Sequence, residues 1–316
     1  MLQPLSTLPL SKKAIKNFNK EGYLFVDDVN NSLNDDINKF VNINALKNIL
    51  RSPITLSALD HWQAELQYER CSTFSDALDN ILDGGFQCGT ITEICGPSGS
   101  GKTQLCFQIS TAVQLSPNDG GLAGKSLYID THNTFSTQRI KDMIAEYKVY
   151  QNMDVQQKFH AMAKNITVVS PDTPEELLLI VKQLKKFIQS SLDLCPVRVI
   201  IIDSLSFSIV SLNDTSHKIT YYNEILNELQ RLASKYNIAV VIVNELVTQV
   251  NKNNEISFES AGGQAVSSRC NKRIMLARIR DSKFAARLLK SSTMPQVATV
   301  FNITSQGIRD EPSIKK

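Results

Sequence analysis

The six cysteines, at positions 71, 88, 95, 106, 195 and 270, include no C-x-x-C pair, so neither a zinc site nor a disulfide framework is expected. Cys95 and Cys106 fall in apolar stretches and read as reduced thiols of a cytosolic or nuclear protein. Long apolar runs are missing too: those such as residues 238–243 are strand-sized, and residues 1–10 hold no basic stretch leading into an apolar one. The expectation is a chain without signal peptide or membrane span. Charge of one sign is scarce, since a formal net charge of +3 is too small to argue for nucleic acid by itself. Any such argument must rest on where the cations lie. The single tryptophan, Trp62, lies outside the region that reads as the main core. At 316 residues the chain can build one large α/β domain and a small accessory one without covalent cross-links.

What is present begins with Gly96-Pro97-Ser98-Gly99-Ser100-Gly101-Lys102-Thr103, a complete G-x-x-x-x-G-K-[ST] phosphate loop. Ahead of it, residues 90–95 alternate β-branched and polar side chains and predict a strand. Behind it, residues 104–113 lack Gly and Pro and predict a helix. Strand, loop and helix are the context the motif requires. Loop glycines let backbone N–H groups converge on phosphate oxygens, and the helix N-terminus adds partial positive charge. Lys102 then reaches the β- and γ-phosphates of a nucleotide, and the Thr103 hydroxyl ligates Mg²⁺.

Taken in order, residues 1–51 read as a small helical module, with helical patterns at 12–20, 34–41 and 44–50. Its Lys12, Lys13, Lys16 and Lys20 could contact phosphates or form a solvated helix face. Residues 52–72 read as a linker, with Trp62 placed either to dock on a neighbouring subunit or to pack on its own domain. From 73 to 316 an ATPase core is expected: a helix stopped by Gly84-Gly85, then strands at 126–130, 166–170, 197–203 and 238–244 alternating with helices at 136–147, 174–189 and 221–236. Residues 148–165 are polar and leave the pattern open. Such alternation implies a mostly parallel sheet with helices on both faces and ligands at the strand C-termini. Asp203 ends the continuous apolar run 197–202, where a carboxylate can orient Mg²⁺ or its water. Residues 250–264 are polar, contain Gly262-Gly263 and read as a long mobile loop. Arg269, Lys272, Arg273, Arg278, Arg280, Lys283, Arg287 and Lys290 follow, with Asp281 as the one acid among them. They form either a nucleic-acid phosphate track or strands with one wet face.

These segments resemble the RecA-like recombinases, and within them the eukaryotic recombinase paralogues that assist homologous recombination. The resemblance spans nearly the whole chain and rests on Ile94-Cys95-Gly96 through Lys102-Thr103-Gln104-Leu105-Cys106, on Gly120-Gly121-Leu122-Ala123-Gly124 with Tyr128-Ile129-Asp130-Thr131, on Ile202-Asp203-Ser204 and on Gln306-Gly307-Ile308-Arg309-Asp310. Leu8-Pro9-Leu10-Ser11 and the Glu-Ile-Cys-Gly element look most like the C-type paralogues, with the B-type second. The resemblance implies a RecA-like phosphate-loop core behind a helical N-terminal domain, a linker that docks on an adjacent protomer, ATP and Mg²⁺ as cofactors, and a nuclear location. Implied partners are single-stranded or branched DNA, other paralogues and the main RecA-like recombinase, with no membrane. Arg139 is assigned to the nucleotide. Two loops, near 207–222 and 250–264, are assigned to DNA, so that Lys218 and Lys252, with Arg269, Lys272 and Arg273 beside them, become DNA contacts.

Two positions depart from the family pattern. His132 stands where a water-polarising Glu is expected, and in Asn244-Glu245 the family's Gln is replaced by an acceptor-only carboxylate. Removing a catalytic base typically costs ~10²- to 10⁴-fold, so weak hydrolysis is expected. A mediator that binds ATP within a paralogue complex fits these departures. An active strand-exchange recombinase with its own filament is the alternative, and a structural adaptor stabilised by ATP is a third. A nucleotide kinase is disfavoured by the lack of an evident lid or second Arg cluster.

Overall fold

The computed structural model describes residues 4–8, 10–25, 28–29, 56–145, 147, 153–191, 195–210, 212, 214–250 and 256–311, which fall into two compact units, Met1–Leu66 and Gln67–Lys316. The helices expected at 34–41 and 44–50, and Lys252, lie outside the described residues. In the first unit, helix α1 (Lys12–Lys20) starts at Ser11, whose hydroxyl accepts the Ala14 amide. It buries Phe18 with Leu5 and Val29 and leaves its four lysines exposed. Helix α2 (Ala58–Glu65) opens with a reciprocal capping box between Ser57 and Asp60. Leu59, Trp62 and Leu66 are exposed on and beside it.

The second unit starts with a two-stranded ribbon, β1 (Arg70–Cys71) and β2 (Phe86–Gln87), flanking helix α3 (Asp76–Ile81). It continues as β3 (Ile91–Cys95), α4 (Lys102–Ala112), β4 (Lys125–Asp130), α5 (Thr137–Ala145), α6 (Val155–Ala163), β5 (Ile166–Val169), α7 (Pro174–Ser191), β6 (Val197–Asp203), α8 (Leu205–Val210), α9 (Thr215–Tyr236) and β7 (Ala239–Asn244). A hairpin of β8 (Leu246–Val250) and β9 (Ile256–Ser260), a short α10 (Gly263–Ser267), and strands β10 (Lys272–Arg280), β11 (Lys283–Lys290), β12 (Ala298–Thr304) and β13 (Gly307–Arg309) complete it.

The main sheet has nine strands in the order β13-β12-β11-β10-β3-β7-β6-β4-β5. From β10 to β5 all neighbours are parallel, and β10 to β13 form an antiparallel extension. Alternation along the strands divides the core into two layers. Tyr128, Val199, Ile201, Val241 and Val243 pack with α4 and α5 on one face; Leu127, Ile129, Ile200, Ile202, Val240 and Ile242 pack with α7 and α9 on the other. This α/β sheet with both faces covered is the expected architecture. The parallel register brings Cys95, Asn244, Asp203 and Asp130 to the same edge.

Three sequence expectations need correction. Residues 155–163, left open by the polar composition, form α6, started by a capping box between Asp154 and Gln157. The stretch read as one mobile loop from 250 to 264 contributes to the paired strands β8 and β9 and to the start of α10. Most of 207–222, expected as a loop, is helical in α8 and α9. In both loop cases strand or helix hydrogen bonds satisfy polar backbone that composition alone suggested was left to water.

Candidate functional site

The loop between β3 and α4 is held by close packing. A Cβ on Gly96 would lie 2.4 Å from the Leu276 carbonyl of β10, and one on Gly101 (φ +92°) would lie 2.5 Å from Ile303 of β12. The loop therefore sits against two strands of the extension at positions only glycine permits. The first turn of α4 leaves N–H groups with no carbonyl one turn earlier, and its residues Lys102, Thr103 and Gln104 line the loop's hollow. That hollow is a cavity of about 390 Å³ lined by loop residues 98–103 and by Gln104, His132, Thr134, Asp203, Ser204, Val243, Glu245, Phe284 and Ile303.

Lys102 donates from Nζ to the Gly96 and Pro97 carbonyls at 2.8 and 3.0 Å, curling its ammonium back over the loop. Burial pulls its pKa below the ordinary lysine range, and the negative charges of Glu245 and Asp203 oppose that shift. Asp203, at the end of β6, accepts through Oδ2 from the Thr103 hydroxyl and the Tyr128 hydroxyl, each at 2.7 Å. Burial pushes its carboxyl upward; the Thr103 and Tyr128 hydrogen bonds and His132 act in the opposite sense. Asp130 accepts the His132 and Phe135 amides, which shapes the turn after β4. His132 there has Nε2 3.8 Å from Oε1 of Glu245, and its ring lies 3.9 Å, centroid to centroid, from Phe207 of α8.

A magnesium-bound nucleoside triphosphate fits these residues. The Ser100 hydroxyl is buried with no hydrogen-bond partner, an orphan within the loop that a phosphate oxygen can satisfy. Lys102 and the α4 N-terminus supply positive charge for the phosphates, and Thr103 with Asp203 supplies the oxygen ligands that Mg²⁺ prefers. Among the described residues no group of three or more His, Cys, Asp or Glu could hold a metal ion.

Other expected contacts are placed elsewhere. Asn244 turns its amide to the fully buried Glu93 at 2.7 Å, and Glu93 in turn pairs with Arg273. Arg139 does not line the cavity; its guanidinium donates to Gln104 and to the Thr304 and Ser305 carbonyls at 2.6 Å each. Lys272 is buried and donates to the Leu82 carbonyl, so it is withdrawn from the DNA-contacting set. Arg273 is half-buried, pairing with Glu93 and donating to Ser260, and half-buried Arg269 donates to Asn223 and Asn227 of α9. Lys283 pairs with Glu311, and Lys290 donates to carbonyls at the end of α10. Of the basic run, Arg278, Arg280 and Arg287 keep exposed side chains on β10 and β11, which is the wet-face reading of that pattern. Lys218 is half-exposed on α9.

Residues 67–311 match the family model described as Rad51. The chain belongs to the Rad51 family. It is 31% identical over 267 residues to the DNA repair and recombination protein RadA of Metallosphaera sedula, which covers 80% of this chain and 76% of that protein. It is 30% identical over 249 residues to the protein of the same description from Aeropyrum pernix, covering 78% and 74%. In this Rad51-family chain the sequence reading missed Tyr128 as a partner of Asp203 and Phe207 as the ring beside His132. Tyr128 is indistinguishable from a core residue in an apolar strand, and Phe207 only meets His132 when β4 and β6 pair. No helix among the described residues is long and apolar enough to cross a membrane.

Proposed function

We propose that this chain is an ATP-binding homologous-recombination mediator. In this reading it acts in the nucleus, in DNA double-strand break repair and meiotic recombination, as one subunit of a recombinase-paralogue complex that binds single-stranded or branched DNA and supports the main RecA-like recombinase. Its family membership and its RadA relatives supply the recombination context. The observation that carries the mediator reading is the contact between His132 and Glu245 inside the cavity. Both positions depart from the pattern of an active recombinase, and they depart together.

Bound ATP supplies phosphate charge that holds the loop, α4 and the strand ends in one arrangement, and its terminal phosphoryl group can be transferred to water. The chain's own residues act around it. With a nucleotide bound, Lys102, which now donates to loop carbonyls, would turn to the β- and γ-phosphates, the loop and α4 amides would hold phosphate oxygens, and Thr103 with Asp203 would hold Mg²⁺. His132, being an imidazole, gives the water site no fixed negative charge, so turnover is slow and ATP serves mainly to set conformation. Phe207, at the start of the first segment assigned to DNA, stacks on His132, and Glu245, between β7 and the β8 strand that leads into the second, faces the same imidazole. A slow ATPase suits a subunit that stays assembled on a recombinase filament.

The identity to RadA across most of the chain favours a second reading, a strand-exchange recombinase with its own filament. Pull-down of the tagged chain with mass spectrometry of its partners, followed by ATPase assay with and without single-stranded DNA, separates the two. Recovery of other paralogues with weak turnover is expected. Long regular filaments of the isolated protein on DNA, with brisk ATPase, would replace the mediator reading.

A further inference from the structure

Two carboxylates line the cavity, and they are in different states. Asp203 is buried and its Oδ2 already accepts from Thr103 and Tyr128 at 2.7 Å. Glu245 has a side chain 56% exposed, directly follows β7, and is fixed by its backbone amide, which donates to the Ser206 hydroxyl at 3.1 Å. Its carboxylate faces the imidazole of His132 at 3.8 Å, within reach of one small adjustment or one bridging water. It also heads the negative charges acting on Lys102, the cation assigned to the terminal phosphates.

We propose that Glu245 is the catalytic base of the residual ATP hydrolysis, with His132 as the positioning residue that aims it. The inference rests on the nucleotide reading above. Glu245 accepts one proton from a water in the cavity as that water's oxygen bonds to the terminal phosphorus. The bond between that phosphorus and its bridging oxygen breaks, the electron pair leaves with the nucleoside diphosphate, and inorganic phosphate forms. Glu245 then passes its proton to solvent. Lys102 would balance charge on the phosphate oxygens, and Thr103 with Asp203 would hold a Mg²⁺ that supplies the rest. The carboxylate missing at position 132 is thereby supplied from the end of the neighbouring element, with His132 as its contact instead of its replacement. Substituting His132 by Glu alone would set two carboxylates against each other, so the informative variant moves the charge.

The test uses the full chain, with single-stranded DNA present and absent. Single-turnover hydrolysis of Mg²⁺-ATP is measured by quench-flow, and binding of ADP and of ADP–aluminium fluoride by calorimetry. E245Q should lower the single-turnover rate by roughly 10²- to 10⁴-fold and weaken ADP–aluminium fluoride, which resembles the transition state, while ADP binds as before. The double variant H132E/E245Q, which carries the carboxylate across the contact, should recover rate and analogue binding. A rate and analogue affinity in E245Q equal to the parent's would overturn the proposal. So would ADP affinity falling together with rate, because Glu245 would then serve binding, or a parent chain that binds ADP tightly and hydrolyses nothing. A parent chain that binds no ADP would instead remove the nucleotide reading on which all of this stands. Should E245Q fail to fold, the double variant decides: a folded swap variant without hydrolysis overturns the assignment.

Discussion

The phosphate loop and the basic hairpin of β10 and β11 sit on neighbouring strands, β3 and β10, and both stand out in the sequence, yet their polar groups have opposite fates. In the loop, polar groups stay available: the Ser100 hydroxyl has no partner, and Lys102 bonds only loop carbonyls that it can exchange for a ligand. In the basic run, five of the cations are engaged by the fold itself. Arg269 binds α9 asparagines, Lys272 the Leu82 carbonyl, Arg273 the buried Glu93, Lys283 Glu311, and Lys290 the carbonyls closing α10. A motif with fixed spacing thus specifies geometry, whereas a cluster of like charges specifies only composition. Cations near a sheet edge are recruited as structural caps and counter-ions whenever buried acceptors lie within reach.

The contrast breaks most sharply at Arg273. Arg273→Ala should destabilise the fold by about 3–5 kcal/mol, since it leaves Glu93 buried and unpaired in the core. Urea denaturation measures it, and Arg273→Ala combined with Glu93→Gln should regain much of the stability. If stability is unchanged while DNA affinity collapses, the hairpin is a binding surface after all and the contrast with the loop disappears.

Lys102→Ala makes the opposite expectation. The fold should be intact, and nucleotide affinity should drop roughly 10- to 100-fold, the equivalent of about 1.5–3 kcal/mol for a charged hydrogen bond. Calorimetry with equal affinity in parent and variant would refute the site assignment.

A smaller effect is expected at Asp310, whose carboxylate accepts from the Ser75 hydroxyl and from the Asp76 and Ala77 amides at the start of α3. Partial burial pushes its carboxyl up, but these hydrogen bonds outweigh that and hold it below the usual carboxylate range. The folded-state pKa is thus below the unfolded one, so the stabilisation is complete above the ordinary carboxylate pKa and is lost as pH falls through the depressed value. Asp310→Ala should cost about 1–2 kcal/mol near neutrality, as loss of a helix cap does. Thermal melts across pH should show the gap between parent and variant closing in acid; a gap independent of pH would mean the carboxylate is not the cap.

The smallest effect on stability belongs to Arg278, Arg280 and Arg287, the exposed remainder of the basic run. Replacing all three by Ala should change stability by less than about 0.5 kcal/mol per site. Any DNA binding by this face should then weaken for all sequences alike, with the salt dependence flattened by up to about one unit for each phosphate no longer neutralised. An unchanged slope would place the DNA-binding surface away from the hairpin.

Much of this was legible in the residues. The loop from Gly96 to Thr103 carries its own geometry, because each glycine and the lysine stand at spacings that only one backbone path uses. The alternation of strands and helices implied the parallel sheet, and Asp203 stood out because a carboxylate ending an apolar run must sit at a strand terminus. The helix at 155–163 was not legible: its polar composition hid a pattern that the Asp154 cap starts and Met162 anchors. The hairpin of β8 and β9 was not legible either, since short segments mixing apolar and polar residues become strand only when a partner strand pairs with them.

Local spacing and side-chain period encode the phosphate loop and the doubly covered sheet, and the two altered positions, His132 and Glu245, stood out through the resemblance to the recombinase family, so the amino-acid order sufficed for these. It took the folded chain to settle that Tyr128 holds Asp203, that Lys272 and Arg273 serve the core, and that His132 and Glu245 meet. Each of those contacts joins residues far apart in the chain, and their distance is set by which strands lie side by side. That order depends on burying the apolar faces of the whole sheet at once, a sum over the core that no single stretch of sequence contains.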